Sequence, residues 1–583
     1  MKGLGCFLRQ NHASEQVSIT DQYQISIKSV SDSNDPALCC HFFNLNWGTL
    51  VANTHAVGKQ DQEPIPQLPP DQISLRSWIG VMGAILGAFM AVLDIQITNA
   101  SLKDIQAALG ATLEEGSWIS TAYLVAEIVV IPLTGWLSRV FSTRRYLLMN
   151  AALFIFFSMC CAWSWNLNSM ILFRALQGFT GGVLIPIAFT IILTTLPPGK
   201  QPIGLAMFAI TATFAPSIGP TLGGWLTENY SWQYIFYLNL IPGLLLLAGV
   251  WYGISAKPMQ LQLLKQGDWW GILAMAIGLG SLQVVLEEGT RKDWFSSTFI
   301  VRLAITAIVF LSLFLWIEFT RKQPFINLRL LGRRNLGLST IVSLTLGLGL
   351  YGSVYILPLY LAQVQGYNPL QIGEVIMWAG VPQLFIVPLV PKLMQRFDIR
   401  LMIGIGLSLF AVSCFMNSTM THNTGIAELR WSQVVRAMGQ PLIMVPLSSI
   451  ATSDIEPSQA GSASGLFNMM RNLGGSIGIA ALATLLTRRE QFHSNHIGEA
   501  ISLYSPETQQ RLEQMTQSFI RLGADSQTAH QQAIAAISNI VRREAYIMAY
   551  NDCFYFIGLA LLLSGIVVLF FKKVKATGGT AAH

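Results

Sequence analysis

Five ionisable side chains stand where the flanking sequence is otherwise apolar. Asp94, Glu127, Arg174, Arg436 and Arg471 each fall inside a hydrophobic run of about 20 residues, the length a helix needs to cross a hydrocarbon core about 30 Å thick. A charge at that depth costs several kcal/mol unless it faces a cavity or an opposite charge. The two residue types differ in what they can do there. A carboxyl sheds its charge by taking a proton, whereas a guanidinium effectively keeps its own. Burial favours the neutral carboxyl and a neighbouring arginine favours the carboxylate. A carboxylate held between the two, in a protein whose internal access changes, loads and unloads protons. Asp94 and Glu127 are the candidates for that chemistry. The same residues also suit a static ion pair that fixes helix packing. Glu127 is open to three roles: a second proton site, an anchor for cationic compounds, or a hydrogen bond to a neighbouring helix.

The elements that must hold these residues are membrane helices. Of 583 residues, 52% are hydrophobic and 11% charged, against about 25% charged in an ordinary soluble chain. The apolar runs fall into fourteen predicted spans: 77–101, 116–138, 146–165, 169–196, 203–226, 233–254, 270–287, 299–319, 336–362, 371–391, 401–418, 431–453, 463–487 and 548–571. An even number places both termini on one side. Basic residues crowd the short loops after the even-numbered spans, with Arg139, Arg144 and Arg145 in one and Arg321, Lys322, Arg329, Arg333 and Arg334 in another. The short loops of the opposite face hold only Lys103, Arg291, Lys292 and Arg430. Positive residues stay cytoplasmic, so both termini are expected inside. The net charge of +6 follows from this asymmetry and speaks for topology and a lipid setting, not for nucleic acid.

Several function classes find no support in the residues. The cysteines lie in predicted spans or in the N-terminal segment, and no histidine falls inside a span, so no metal or haem is expected in the membrane. "PPGKQ" (197–201) lacks the first glycine and the Ser/Thr of a phosphate-cradling loop. Ser462 and Ser464 have no histidine companion in a span, so an enzyme is not indicated. Residues 488–547 form one long loop between the last two spans, with Leu512, Met515, Phe519 and Leu522 on one helical face. They are read as an amphipathic helical pair capping those spans, or as a docking surface for an external partner.

Four motifs in order carry a resemblance. "LDIQITNASL" (93–102) resembles the first-helix motif of the fourteen-helix drug:proton antiporters, a branch of the major facilitator superfamily. "FRALQGFTGG" (173–182) resembles that family's arginine-bearing motif of helix 4. "APSIGPTLGG" (215–224) resembles the antiporter motif of helix 5, with Gly219, Pro220, Gly223 and Gly224 in place and Ala215 for its first glycine. "GWLSRVFSTRR" (135–145) resembles the loop 2–3 motif through Gly135, Arg144 and Arg145, but Arg139 stands where an aspartate is usual and Ser142 where a glycine is usual.

The resemblance implies an all-α integral membrane protein of the major facilitator fold, with two six-helix bundles and two extra central spans. On that plan residues 1–76 are a cytoplasmic polar tail, expected to be disordered, and 77–254 the N-terminal bundle. Residues 255–335 carry the two extra helices and a linker, 336–571 the C-terminal bundle with the periplasmic loop 488–547, and 572–583 a cytoplasmic tail. It also implies export of hydrophobic or amphipathic small molecules (multidrug efflux) from an inner membrane. The proton gradient is the energy source and no cofactor is needed. Asp94 would be the coupling carboxylate and Arg174 its partner. A periplasmic membrane-fusion adaptor and an outer-membrane channel would complete the route. Phe208, Phe214, Tyr351, Tyr355 and Trp378 are candidate lining residues of the cargo cavity. A dedicated exporter of a metabolite, fatty acid or siderophore, or a membrane sensor without transport, remain as alternatives.

Overall fold

The computed structural model describes residues 74–573 apart from 266, 322–324, 457–458 and 502–503. The expected tail over 1–76 lies outside the described residues but for its last three, and so does the C-terminal tail beyond Lys573.

Fourteen helices among the described residues are long and apolar enough to cross a membrane. Spans 1 to 6 are Leu75–Ala100, Glu114–Phe141, Thr143–Ala162, Leu167–Thr195, Gln201–Asn229 and Tyr234–Gly253. Spans 7 and 8 are Trp269–Glu288 and Thr298–Thr320. Spans 9 to 14 are Arg334–Gln363, Leu370–Arg396, Ile399–Asn417, Ile426–Thr452, Ala460–Glu499 and Ser526–Val568. Each expected span is present, and no strand occurs among the described residues.

Helix in the membrane is dictated by the backbone, since every N–H and C=O must be bonded within the segment. Departures occur where the sequence denies those bonds. Span 4 is two helices, Leu167–Gly181 and Leu184–Thr195, broken where Pro186 has no N–H to donate to the Gly182 carbonyl four residues back. Span 10 passes through a tight turn at Val387–Leu389, where Pro388 and Pro391 withhold donors. Span 5, by contrast, stays one helix across Pro216 and Pro220.

Two groups of six spans pack mainly within themselves. In the first, span 1 lies against spans 4, 5 and 6, and span 4 against spans 2 and 3; in the second, span 9 lies against spans 13 and 14, and span 12 against spans 10 and 11. The groups meet along a seam where span 5 touches spans 10 and 12, and span 13 touches spans 2 and 4. The two extra helices pair with each other. Span 7 leans on spans 2 and 13 and so flanks the seam. Span 8 is outermost, with 17% of its apolar window buried, so most of its surface is left for lipid.

Spans 13 and 14 belong to helices of 41 and 43 residues, Ala460–Ala500 and Ser526–Val568. At 1.5 Å per residue each is roughly 60 Å long, about twice the hydrocarbon thickness. Their outer ends and the helix Pro506–Arg521 make up the long loop, with Pro506–Arg521 lying on the start of Ser526–Val568. Leu512, Met515 and Phe519 are half-buried there, as the periodicity predicts. Leu522 falls just past the helix end and is 81% exposed. A clamp ties the two long helices together: Arg489 Nε donates to Asp552 Oδ2 at 2.6 Å, and His493 Nε2 lies 2.8 Å from the same oxygen.

Candidate functional site

Asp94 and Arg174 meet inside the first group of spans. Arg174 Nη1 donates to Asp94 Oδ2 at 2.6 Å, and both side chains are 1% exposed. Two amides complete the arrangement: Gln177 Nε2 and Asn239 Nδ2 donate to Asp94 Oδ1 at 3.0 and 2.6 Å. Arg174 also donates to Gln177 Oε1 at 2.8 Å, and its guanidinium lies over the Tyr123 ring, 4.3 Å from the centroid. Ser158 bridges Asn239 to the Phe236 carbonyl. A buried charge pair persists when its remaining valences are hydrogen-bonded, and here both carboxylate oxygens are occupied. The helix periodicity explains part of this cage, because Gln177 sits one turn beyond Arg174.

Glu127 is not part of the cage. It is 4% exposed and lines a cavity at the seam, where Asn472 Nδ2 of span 13 donates to its Oε1 at 3.3 Å. The cavity draws walls from spans 1, 2, 4, 7, 9 and 13, with Ile95, Leu124, Ile128, Ile185 and Ile479 as apolar lining and Glu127, Gln283, Glu287, Asn472 and Ser476 as polar lining. Its volume is about 80 Å³. Span 2 reaches the cavity because span 4 yields at Gly182: a Cβ there would lie 2.9 Å from Glu127 Cγ and 3.0 Å from its Cα.

The other arginines differ. Arg471, adjacent to Asn472, is 1% exposed, and its Nε and Nη1 have no hydrogen-bond partner among the described residues. Arg436 lines a smaller cavity with Thr213, Pro216, Leu350, Tyr351 and Val354 and lies over the Phe410 ring. It forms no ion pair among the described residues.

The motif residues have packing roles. A Cβ at Gly219 would meet Gln96 Cβ at 2.5 Å, and one at Gly223 the Ile97 carbonyl oxygen at 2.9 Å, so these glycines let span 5 lie close on span 1. Gly224 is buried and Pro220 half-buried in the same helix. Gly135 backs onto the Gly461 backbone across the seam, where a Cβ would meet its carbonyl carbon at 2.7 Å. Arg144 Nη2 donates to the Trp251 carbonyl at 2.7 Å and its guanidinium stacks on that ring, whereas Arg145 is exposed. Ser142, at the glycine position of the loop motif, takes φ +70°, the region glycine enters most readily.

Of the five aromatic candidates, Tyr351 lines both cavities and donates to Asn472 Oδ1 at 3.3 Å. Phe208 lines neither; it is 1% exposed and packs edge-on against Phe189. Phe214 stacks on Phe89, Trp378 lies under the Arg430 guanidinium, and Tyr355 is half-buried.

The residues not anticipated are Gln177, Asn239, Gln283, Glu287 and Asn472. Uncharged amides inside spans were a usable signal for four of them. Glu287 stands at the limit of its apolar run, where charge is ordinary.

Comparison with known proteins places this geometry in a family. The Major Facilitator Superfamily model matches residues 84–479. The chain is 33% identical over 499 residues to the colistin resistance protein EmrB of Acinetobacter baumannii, across 86% of this chain and 97% of that one. It is 31% identical over 516 residues to the fatty acid resistance protein FarB of Neisseria gonorrhoeae, across 88% and 99%. It is 30% identical over 504 residues to the multidrug export protein EmrB of Escherichia coli, across 85% and 96%. Among solved structures, the proton:xylose symporter XylE is similar with a TM-score of 0.55 at 13% identity, over 86% of this chain and 97% of that one, a likeness of fold alone. With the fourteen spans and the motif helices in register, the chain belongs to the major facilitator superfamily and is a multi-pass membrane transporter, not an enzyme.

Proposed function

We propose that the chain is a proton-coupled antiporter exporting hydrophobic or amphipathic small molecules, in the manner of multidrug efflux. The observation that carries this reading is the seam cavity, where a membrane-depth carboxylate, Glu127, stands among apolar side chains contributed by both groups of spans. Relatives named for multidrug export and colistin resistance support it. Rocking of the two groups opens and closes such a cavity, and cargo and proton then compete for, or favour, different states.

Glu127 is the group that exchanges protons with the cavity. Asp94 and Arg174 carry a second step: a proton reaches Asp94 only by displacing one of the donors that fill its two oxygens. The charge asymmetry of the loops supports a cytoplasmic position for both termini, in keeping with an inner-membrane exporter. The hairpin over 488–547 is then periplasmic, where an adaptor leading to an outer-membrane channel would dock.

The test uses proteoliposomes with an internal pH dye. Adding amphipathic compounds to the wild-type protein is expected to evoke proton movement, and Glu127→Gln to reduce it at least tenfold. Compound flux without proton movement would overturn the antiport reading.

A further inference from the structure

The inserted span 7 has no counterpart in the two six-span groups, yet its last two turns reach the seam cavity through Gln283 and Glu287. These residues lie one turn apart on one helix face. Gln283 Nε2 donates to Glu287 Oε1 at 3.0 Å and to Ser476 Oγ at 2.9 Å. Both amide hydrogens are thereby used. The amide oxygen is left over: Gln283 is 2% exposed, and its Oε1 has no hydrogen-bond partner among the described residues. A buried acceptor without a donor is destabilising, a deficit that a donor in the cavity would remove. Arg291, the nearest basic side chain along the chain, pairs with Glu288 instead, at 3.5 Å.

The remaining lining completes the pattern. Asn472 spends a donor on Glu127, Tyr351 donates to Asn472, and the Ser476 hydroxyl bonds the Asn472 carbonyl. Gln96 and Asn99 add amides of both kinds. Near the two carboxylates the wall therefore offers acceptors and few free donors. Neither Glu127 nor Glu287 has an ion-pair partner among the described residues; their bonds are from the Asn472 and Gln283 amides.

We propose that this cavity takes the head of a protonated primary amine, whose three N–H groups bond Glu287, Glu127 and the Gln283 oxygen while its apolar body lies along Leu124, Ile128 and Ile479. This rests on reading the cavity as the cargo site. It makes the inserted helix a determinant of specificity and sets N–H donation, not positive charge alone, as what is recognised. A quaternary ammonium carries the charge but leaves all three acceptors unpaired. The room of about 80 Å³ suits an ammonium head and is below the ~300 Å³ of a drug-sized pocket, so the body enters as the seam widens.

The experiment is equilibrium binding to the full chain in lipid nanodiscs, at neutral pH and without a gradient. The probes are a fluorescent naphthylalkyl primary ammonium, its N-trimethyl analogue and the matching neutral alcohol. The primary ammonium is expected to bind at least tenfold more tightly than either of the others. Glu287→Gln is expected to abolish that preference, leave the alcohol within twofold and preserve thermal unfolding, and Glu287→Asp to restore part of it. If Glu287→Gln does not fold, Gln283→Met, which removes the amide oxygen, is expected to reduce the preference severalfold. Equal binding of the ammonium and trimethyl probes, or a preference untouched by both substitutions, overturns the proposal. Because no gradient is present, a failure of coupled transport leaves this test intact. Antiport of neutral cargo with no ammonium preference would refute the amine site and leave antiport standing.

Discussion

The Asp94 cage and the Glu127 cavity are both built around a buried carboxylate, but they are assembled from different parts. Every donor to Asp94 comes from spans 4 and 6 of its own group. The donor to Glu127 comes from span 13 of the other group, and the helix beside it is the inserted span 7. A rigid-body motion of one group against the other carries the cage along unchanged and remakes the cavity. The cage therefore fixes the geometry of the first group, and the cavity registers the relative position of the two. Arg174 and Arg436 repeat the contrast, since the first sits against a carboxylate and the second lines a cavity with no ion pair among the described residues.

Substitutions can break this contrast, and the largest effect is expected in the cage. Arg174→Leu leaves Asp94 buried without its counter-charge, a change worth about 3–5 kcal/mol. The expected result is loss of folded protein in detergent, read by thermal unfolding, with partial recovery when Asp94→Leu is added. A stable but transport-dead Arg174→Leu protein would show that the pair serves the proton step without holding the first group together. A smaller effect is expected from Gly182→Ala. Its new methyl would crowd Glu127 Cα and Cγ, and overpacking of that kind costs about 1–3 kcal/mol. Transport should fall severalfold while the Asp94 bonds stay intact, because the atoms nearest the new methyl belong to Val130 and Glu127; crosslinking of cysteine pairs across spans 1 and 4 would check this. The smallest effect is expected from Asn472→Ala. It removes two long hydrogen bonds, one to Glu127 and one from Tyr351, each at 3.3 Å and together worth about 1 kcal/mol, so unfolding should barely move while the pH dependence of transport shifts. An unchanged pH profile would detach Glu127 from span 13.

Much of this was legible in the residue order, and the parts that were not share a cause. Spans follow from apolar length alone, because the bilayer leaves the backbone little choice. Asp94 and Arg174 were legible because charge in mid-run is conspicuous. Gln177 and Asn239 were legible only as amides in mid-span; their service to Asp94 depends on how spans 4 and 6 face span 1. Glu287 was hidden by its place at the end of span 7. Only the packing of that span beside spans 2 and 13 turns an interfacial-looking residue into a cavity wall. Phe208 shows the converse, because aromatic bulk in span 5 does not say which way the ring points.

The two long helices that run out of the membrane have a mechanical consequence. A continuous helix clamped to its neighbour by Arg489, Asp552 and His493 bends little over its length. Any tilt of the second group is then delivered outside as a swing of the hairpin tip, which lies roughly 20 Å beyond the hydrocarbon boundary at 1.5 Å per residue. The hairpin works as a pointer whose deflection reports the state of the seam, and whatever grips the pointer also holds a lever on the cavity.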